Sequence, residues 1–335
     1  MPTPNRTSAT DEASTSRPAS ATTARAVEFV AARKAEAEAI GTGLAEHIQD
    51  PGAFADALQR GLAQLADPEY LDGQHVVAPG LGTTHGVRWP LIAAVVRGFK
   101  AATRHDRPTP LLFIADRLFH EPHLEVRWFA FALLERTLGA EPERTWQLLR
   151  RAAREAGDWI TVDDLAHPYG RGIAAEPYRW AELEQLVFSP SRWERRLVAS
   201  TIATMTHGNR RSGRGPEVVE HALPLLEQLM GDAEPDVQKA LAWAYRSLAQ
   251  IDPEATADAL RAQAELAATG DDGHRAWVIR DSLSKLDPTV AGELLQRLDG
   301  IRRRPGAPST SPASAMAARF GGLPDTSHHP EPPLI

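Results

Sequence analysis

Four charged residues in the middle of the chain share one local setting, each three positions ahead of an alanine: Arg127-Trp-Phe-Ala130, Asp163-Asp-Leu-Ala166, Arg196-Leu-Val-Ala199 and Lys239-Ala-Leu-Ala242. Arg275 follows as a fifth candidate. Asp163 is the one acid in a column of cations. Trp159 lies four residues before Asp163, Trp193 three before Arg196, and Trp243 four after Lys239, offsets that on a helix set each indole on the same face one turn away. A carboxylate flanked by positive charge stays ionised, because the neighbouring cations favour its charged form. Two readings fit this pattern. The residues could line a groove of indole faces, one carboxylate and several guanidinium groups, or the indoles could be core and the charges a stabilising ladder between repeats. The residues alone leave both open.

The elements that would position them are helices. Apolar residues recur at three- and four-residue spacing in VEFVAARKAEAEAIGTGLAEHI, WPLIAAVVRGFKAA and VRWFAFALLERTL, with prolines between or at the start of such segments, and about a dozen helices are expected. The charged positions recur at intervals of 36, 33, 43 and 36 residues, a period that suits stacked helix pairs. The fold expected is therefore all-α, an α-solenoid of HEAT-like repeats whose charged slots line a concave face. The 43-residue interval contains Gly208-Asn-Arg210-Arg211-Ser-Gly-Arg214-Gly215, which reads as an inserted basic loop. Tyr169, between Pro168 and Gly170, reads as a turn residue. Residues 1–24 and 305–335 are rich in Ser, Thr, Ala and Pro and read as disordered tails around a folded domain over 25–304. No apolar run is long enough for a membrane helix, so the chain is expected in the cytoplasm.

Composition narrows the chemistry. The chain has no cysteine, which removes thiolate nucleophiles, disulfides and Cys-ligated metal sites. His120-Glu-Pro-His123 lacks the helical histidine pair of a zinc hydrolase, and no metal site is expected. The formal net charge of −7 hides an asymmetry: 19 Arg or Lys stand against 15 Asp or Glu over 97–214, and 10 against 16 over 216–305. Polyanion binding depends on local cation density, so the basic middle keeps nucleic acid open. Arg150, Arg151 and Arg154 read as a solvated helix face.

On these same residues the sequence resembles a known family. Trp159-Ile-Thr-Val-Asp163 resembles the Trp-x-x-x-Asp segment of the HEAT-like-repeat bacterial alkylpurine DNA glycosylases, the AlkD-like DNA alkylation repair enzymes. Trp193-Glu-Arg195-Arg196 resembles their Trp-x-x-Arg helix start, and Lys239-Ala-Leu-Ala-Trp243-Ala-Tyr-Arg246 their Lys-Ala-x-x-Trp-x-x-Arg helix. Looser likenesses fall on Gly82–Pro90 and Leu118–Arg127, and the whole spans about 75 to 290. The sequence departs from the family in the Gly208–Gly215 insertion, the acidic C-terminal third and both tails, the stretches that bear on DNA footprint and adduct preference.

The resemblance implies a monofunctional enzyme that excises N3- or N7-alkylated purines, bulky ones included, from duplex DNA lying in a concave cradle. It implies that Trp159 and Trp243 pack on the deoxyribose, that Asp163 stabilises the reacting sugar and positions water, and that Arg196 holds the adjacent phosphate. Arg195, Lys239 and Arg246 on the matched helices would join it on the DNA, with Arg210, Arg211 and Arg214 reaching further phosphates. The expected form is a nucleoid-associated monomer without metal or organic cofactor. The chemistry is coherent: alkylation leaves the purine cationic and a good leaving group, and a carboxylate with indole faces suits the positive charge that develops on the sugar. The alternative is a catalytically silent HEAT-type scaffold, or a binder of damaged or branched DNA.

Overall fold

Aspartate and proline set the helix starts. Asp50, Asp158, Asp252, Asp272 and Asp287 each accept a backbone N–H from the first turn that follows them, and Pro51, Pro110, Pro142, Pro235, Pro253 and Pro288 occupy first helical positions, where a missing N–H costs nothing. The computed structural model describes residues 21–77, 82–212 and 215–319. Its first half comprises α1 (Ala21–Gly43), α2 (Pro51–Gln64), α3 (Pro68–Val77), α4 (Trp89–Ala102), α5 (Pro110–Leu118), α6 (Leu124–Thr137), α7 (Pro142–Glu155) and α8 (Trp159–Ala175). The second comprises α9 (Trp180–Leu186), α10 (Arg192–Ser212), α11 (Gly215–Leu229), α12 (Pro235–Leu248), α13 (Pro253–Gly270), α14 (Gly273–Ser282), α15 (Pro288–Arg297) and α16 (Pro312–Arg319).

The described residues contain no strand. The periodicity counts about a dozen helices, because segments as short as α9 and α16 carry too few turns for the pattern to register. The helices stack in two rows. In the front row α1, α4, α6, α8, α10, α12 and α14 pack each against the next, and behind them α2, α5 and α7, then α9, α11, α13 and α15, lie alongside. The fold is thus an all-α solenoid. α1 and α4 touch backbone to backbone: a Cβ on Gly98 would collide with the Glu38 carbonyl oxygen, and one on Gly41 with that of Val95. A continuous apolar core runs between the rows, with Phe54 edge-on to Phe99 at 5.4 Å.

Three sequence expectations change. The stretch from Gly208 to Ser212 is not loop, because α10 runs on to Ser212 for 21 residues where α6 and α12 have 14, and this lengthening accounts for the long repeat interval. Tyr169 caps no turn: α8 continues through Pro168, and Tyr169 is buried in mid-helix with its ring 4.4 Å from Trp146. The array also extends past residue 304. Thr310 donates its backbone N–H to the Gly231 carbonyl (2.9 Å), His274 Nε2 meets the Ala307 carbonyl (3.0 Å), and α16 lies on α11. Gly231 is required there, because its φ is +94° and a Cβ would collide with Thr310 Oγ1. At the other end α1 begins at Ala21, four residues ahead of the expected boundary.

Candidate active site

Asp158 fixes the start of α8. Its carboxylate accepts the Thr161 backbone N–H at 2.8 Å and the Thr161 hydroxyl at 2.7 Å, and that hydroxyl oxygen accepts from Trp128 Nε1 of α6 at 2.9 Å. The cap therefore ties the first turn of α8 to its neighbour and orients the two residues that follow on one face, Trp159 and Asp163. Arg127, the first rung of the expected ladder, lies partly buried nearby. Burial lowers its pKa, against the opposing charges of Asp158 and Glu155.

Asp163 receives three donors. Arg196 of α10 approaches as a fork, Nε to Oδ1 at 3.0 Å and Nη2 to Oδ2 at 2.7 Å, and Ser200, one turn further along α10, donates to Oδ1 at 2.7 Å. The remaining Arg196 arm, Nη1, donates to the Asp236 carbonyl at 2.6 Å and so reaches the start of α12. A carboxylate offers about four lone-pair directions. One on Oδ2 is left, and the Asp163 side chain stays 23 % exposed. Trp159 is partly exposed, its ring centroid 5.9 Å from the Arg196 guanidinium carbon. The acid, one indole and the fork thus meet, joined by Ser200, which the sequence reasoning does not single out. The signal for it is the helical offset, since Ser200 lies four residues after Arg196 on the same face.

Other expected residues fall differently. Arg196 holds protein acceptors rather than facing solvent, its side chain 6 % exposed, so its geometry is that of a positioning group for Asp163. Arg195 is likewise spent: Nε donates to Asp232 at 2.7 Å and Nη1 to the Ser189 and Pro190 carbonyls at 2.9 Å each. A DNA contact there is corrected to a clasp before α12. Arg275 is buried against Asp272 and Gln263 and is no rung of an exposed ladder. On α12, Lys239, Trp243 and Arg246 share one face. Lys239 is exposed with no hydrogen-bond or ion-pair partner among the described residues, Trp243 is partly exposed, and Arg246 pairs with Asp281 at 2.8 Å. Arg210 and Arg211 fall on the last turn of α10 with side chains outside those described, and Arg214 lies outside the described residues altogether. In the rear, Arg150 pairs with Glu182 and Arg151 with Asp116, linking back-row helices.

The two loosely matched stretches meet each other. Glu125 of α6, wholly buried, accepts the backbone N–H groups of His85 (3.1 Å), Gly86 (2.9 Å) and Val87 (3.2 Å) and the Thr84 hydroxyl, pinning the segment that leads into α4. His85 stacks on His123 at 3.9 Å. Burial and that neighbour hold the His85 imidazole below its usual pKa, against the pull of Glu125.

A protein-family model described as DNA alkylation repair enzyme matches residues 58–286 of this chain. No curated protein matches it.

Proposed function

Because the chain belongs to the DNA alkylation repair enzyme family, we propose that it hydrolyses the N-glycosidic bond of N3- or N7-alkylated purines in duplex DNA. The observation that carries this reading is the Asp163 carboxylate, fixed by Arg196 and Ser200 yet open along one edge beside the Trp159 indole. A pre-set carboxylate needs no reorganisation as positive charge grows opposite it, which is where electrostatic stabilisation is largest. In the step proposed, the C1′–N bond breaks and its electron pair returns to the cationic purine, neutralising it. The water oxygen bonds to C1′, and the water's proton passes to Asp163 Oδ2 and from there to solvent. The free lone pair on Asp163 Oδ2 orients that water and faces the oxocarbenium-like sugar, Trp159 and Trp243 offer π faces to it, and Lys239 and Arg246 serve the phosphates.

The duplex would lie across the front row. The test is release of 3-methyladenine and 7-methylguanine from methylated duplex under single-turnover conditions. Wild type should release base, and Asp163→Asn should slow release by about a hundred- to a thousandfold. No release by wild type from any alkylated duplex overturns the reading.

One observation favours a second reading, a silent binder: the Arg196 fork fills three of the four acceptor directions of Asp163 together with Ser200, as a purely structural ion pair would. That reading expects duplex binding without base release, equally retained in Asp163→Asn.

A further inference from the structure

A cleft of about 330 Å³ opens between α4, α6 and α8, on the side of α8 next to Asp163. Its floor is aromatic, with Trp128 and Phe131 both buried. One wall is the Trp89 indole, 48 % exposed and edge-on to Trp128 at 6.5 Å. The lining also holds two carboxyl groups, Glu135 and Asp164. Asp164 is partly buried and has no hydrogen-bond or ion-pair partner among the described residues. Such a group is costly to leave unmatched and calls for a donor or a cation. Glu135 has only long pairs to the exposed tips of Lys100 (3.7 Å) and Arg171 (3.5 Å), which solvent screens. Arg97 at the rim turns to Glu38 at 3.2 Å.

An anion gains nothing from two carboxyl groups, and a hard metal ion wants an oxygen cage rather than indoles. A flat cation satisfies every wall: its face lies on the aromatic floor, the Trp89 ring attracts its charge, and the carboxyl groups neutralise it. We propose that this cleft is a second ligand site, taking an organic cation with a planar apolar body, either free or carried as the substituent of an alkylated base.

Burial and the neighbouring carboxylates push the Asp164 carboxyl up to about 8, so a cation seated beside it favours release of that proton. Binding should therefore tighten as pH rises through the titration of Asp164. The titratable and charged groups facing Asp164 are Asp163 and His167 on α8, Glu135 on α6, and at the rim Arg97, Lys100 and Arg171.

The test is calorimetric titration of the full chain with 1-methylquinolinium and with neutral quinoline, at about pH 6 and about pH 8.5. The cation should bind at least about tenfold tighter than its neutral isostere and more tightly at the higher pH, and Glu135→Gln, Asp164→Asn and Trp89→Ala should each weaken it about tenfold. Trp89 is a surface residue and Asp164→Asn removes an unmatched acid, so both variants should fold, as melting curves will check. In a second arm the same cation is attached at guanine N7 in a duplex. Binding of the free cation marks a small-molecule site, and binding only when attached marks a site for the lesion's substituent. Equal affinity for cation and isostere in both arms, or variants that bind as wild type does, overturns the proposal. Because the readout is binding, its failure is distinct from any failure of base release.

Discussion

Ser200 adds one hydroxyl to a carboxylate already gripped by a guanidinium, and the two partners should therefore fail differently. Ser200→Ala removes one hydrogen bond, worth about 1 kcal/mol. Arg196→Lys removes the planar fork, because an ammonium is a point donor and cannot hold both oxygens of Asp163. If Arg196 acts by positioning, the lysine variant should lose roughly tenfold or more in the rate of base release while keeping its duplex affinity. If it were instead a phosphate contact, affinity and its salt slope would change and the single-turnover rate would not, so measuring both decides the role. Asp164 gives a second residue-scale prediction. Burial first, then the charges of Glu135 and Asp163, push its carboxyl up to about 8. Folded protein then keeps a proton that the unfolded chain releases near pH 4, so this group makes stability fall as pH rises from about 4 to about 8. Asp164→Asn should thus leave the melting temperature nearly unchanged at about pH 4 and raise it increasingly up to about pH 8, with no further gain above. A constant difference across that range would refute it.

At the scale of elements, α8 carries the site because its start is anchored. Asp158→Ala deletes the cap and frees the Thr161 hydroxyl that receives Trp128 Nε1, at a cost of about 1–2 kcal/mol. The melting temperature should fall by about 2–4 °C per kcal/mol, and base release should slow because Trp159 and Asp163 ride on that first turn. Much of this is legible in the sequence. The Trp159 to Asp163 offset places both on one helical face, and repeat spacing yields the stack. Helical offsets do not show which way a rung points relative to the next helix, and so spacing alone makes Arg196 and Asp163 separate rungs although they form one ion pair. Arg195 and Arg196 differ by one helical step, about 100° around the axis, and only packing distinguishes the clasp on Asp232 from the fork on Asp163. The Pro/Ser/Ala composition after residue 304 hides an ordered segment because its anchors are polar contacts, with Ala313 the one buried apolar side chain among its described residues.

Across the whole molecule the basic residues of 97–214 supply arginines to both rows, and of those in the front row several are already paired, as Arg196 is with Asp163 and Arg195 with Asp232. Duplex affinity should therefore depend on fewer phosphates than the arginine count suggests. If about three to five cations touch phosphates, the slope of log affinity against log salt should be about −2.7 to −4.5, and a slope near zero would rule out a DNA-binding face. The segment after α15 gives the stack a further property. It crosses back to Gly231 and His274 and lays α16 over the end of α11. Solenoids are held only by contacts between neighbouring repeats, and this segment adds a strap that touches α11, the turn before α12 and the start of α14 at once. A chain cut after Arg304 should thus melt at a lower temperature than the full chain, with amide exchange quickening first along α11 and α14, because the strap binds these helices across the stack rather than one to the next.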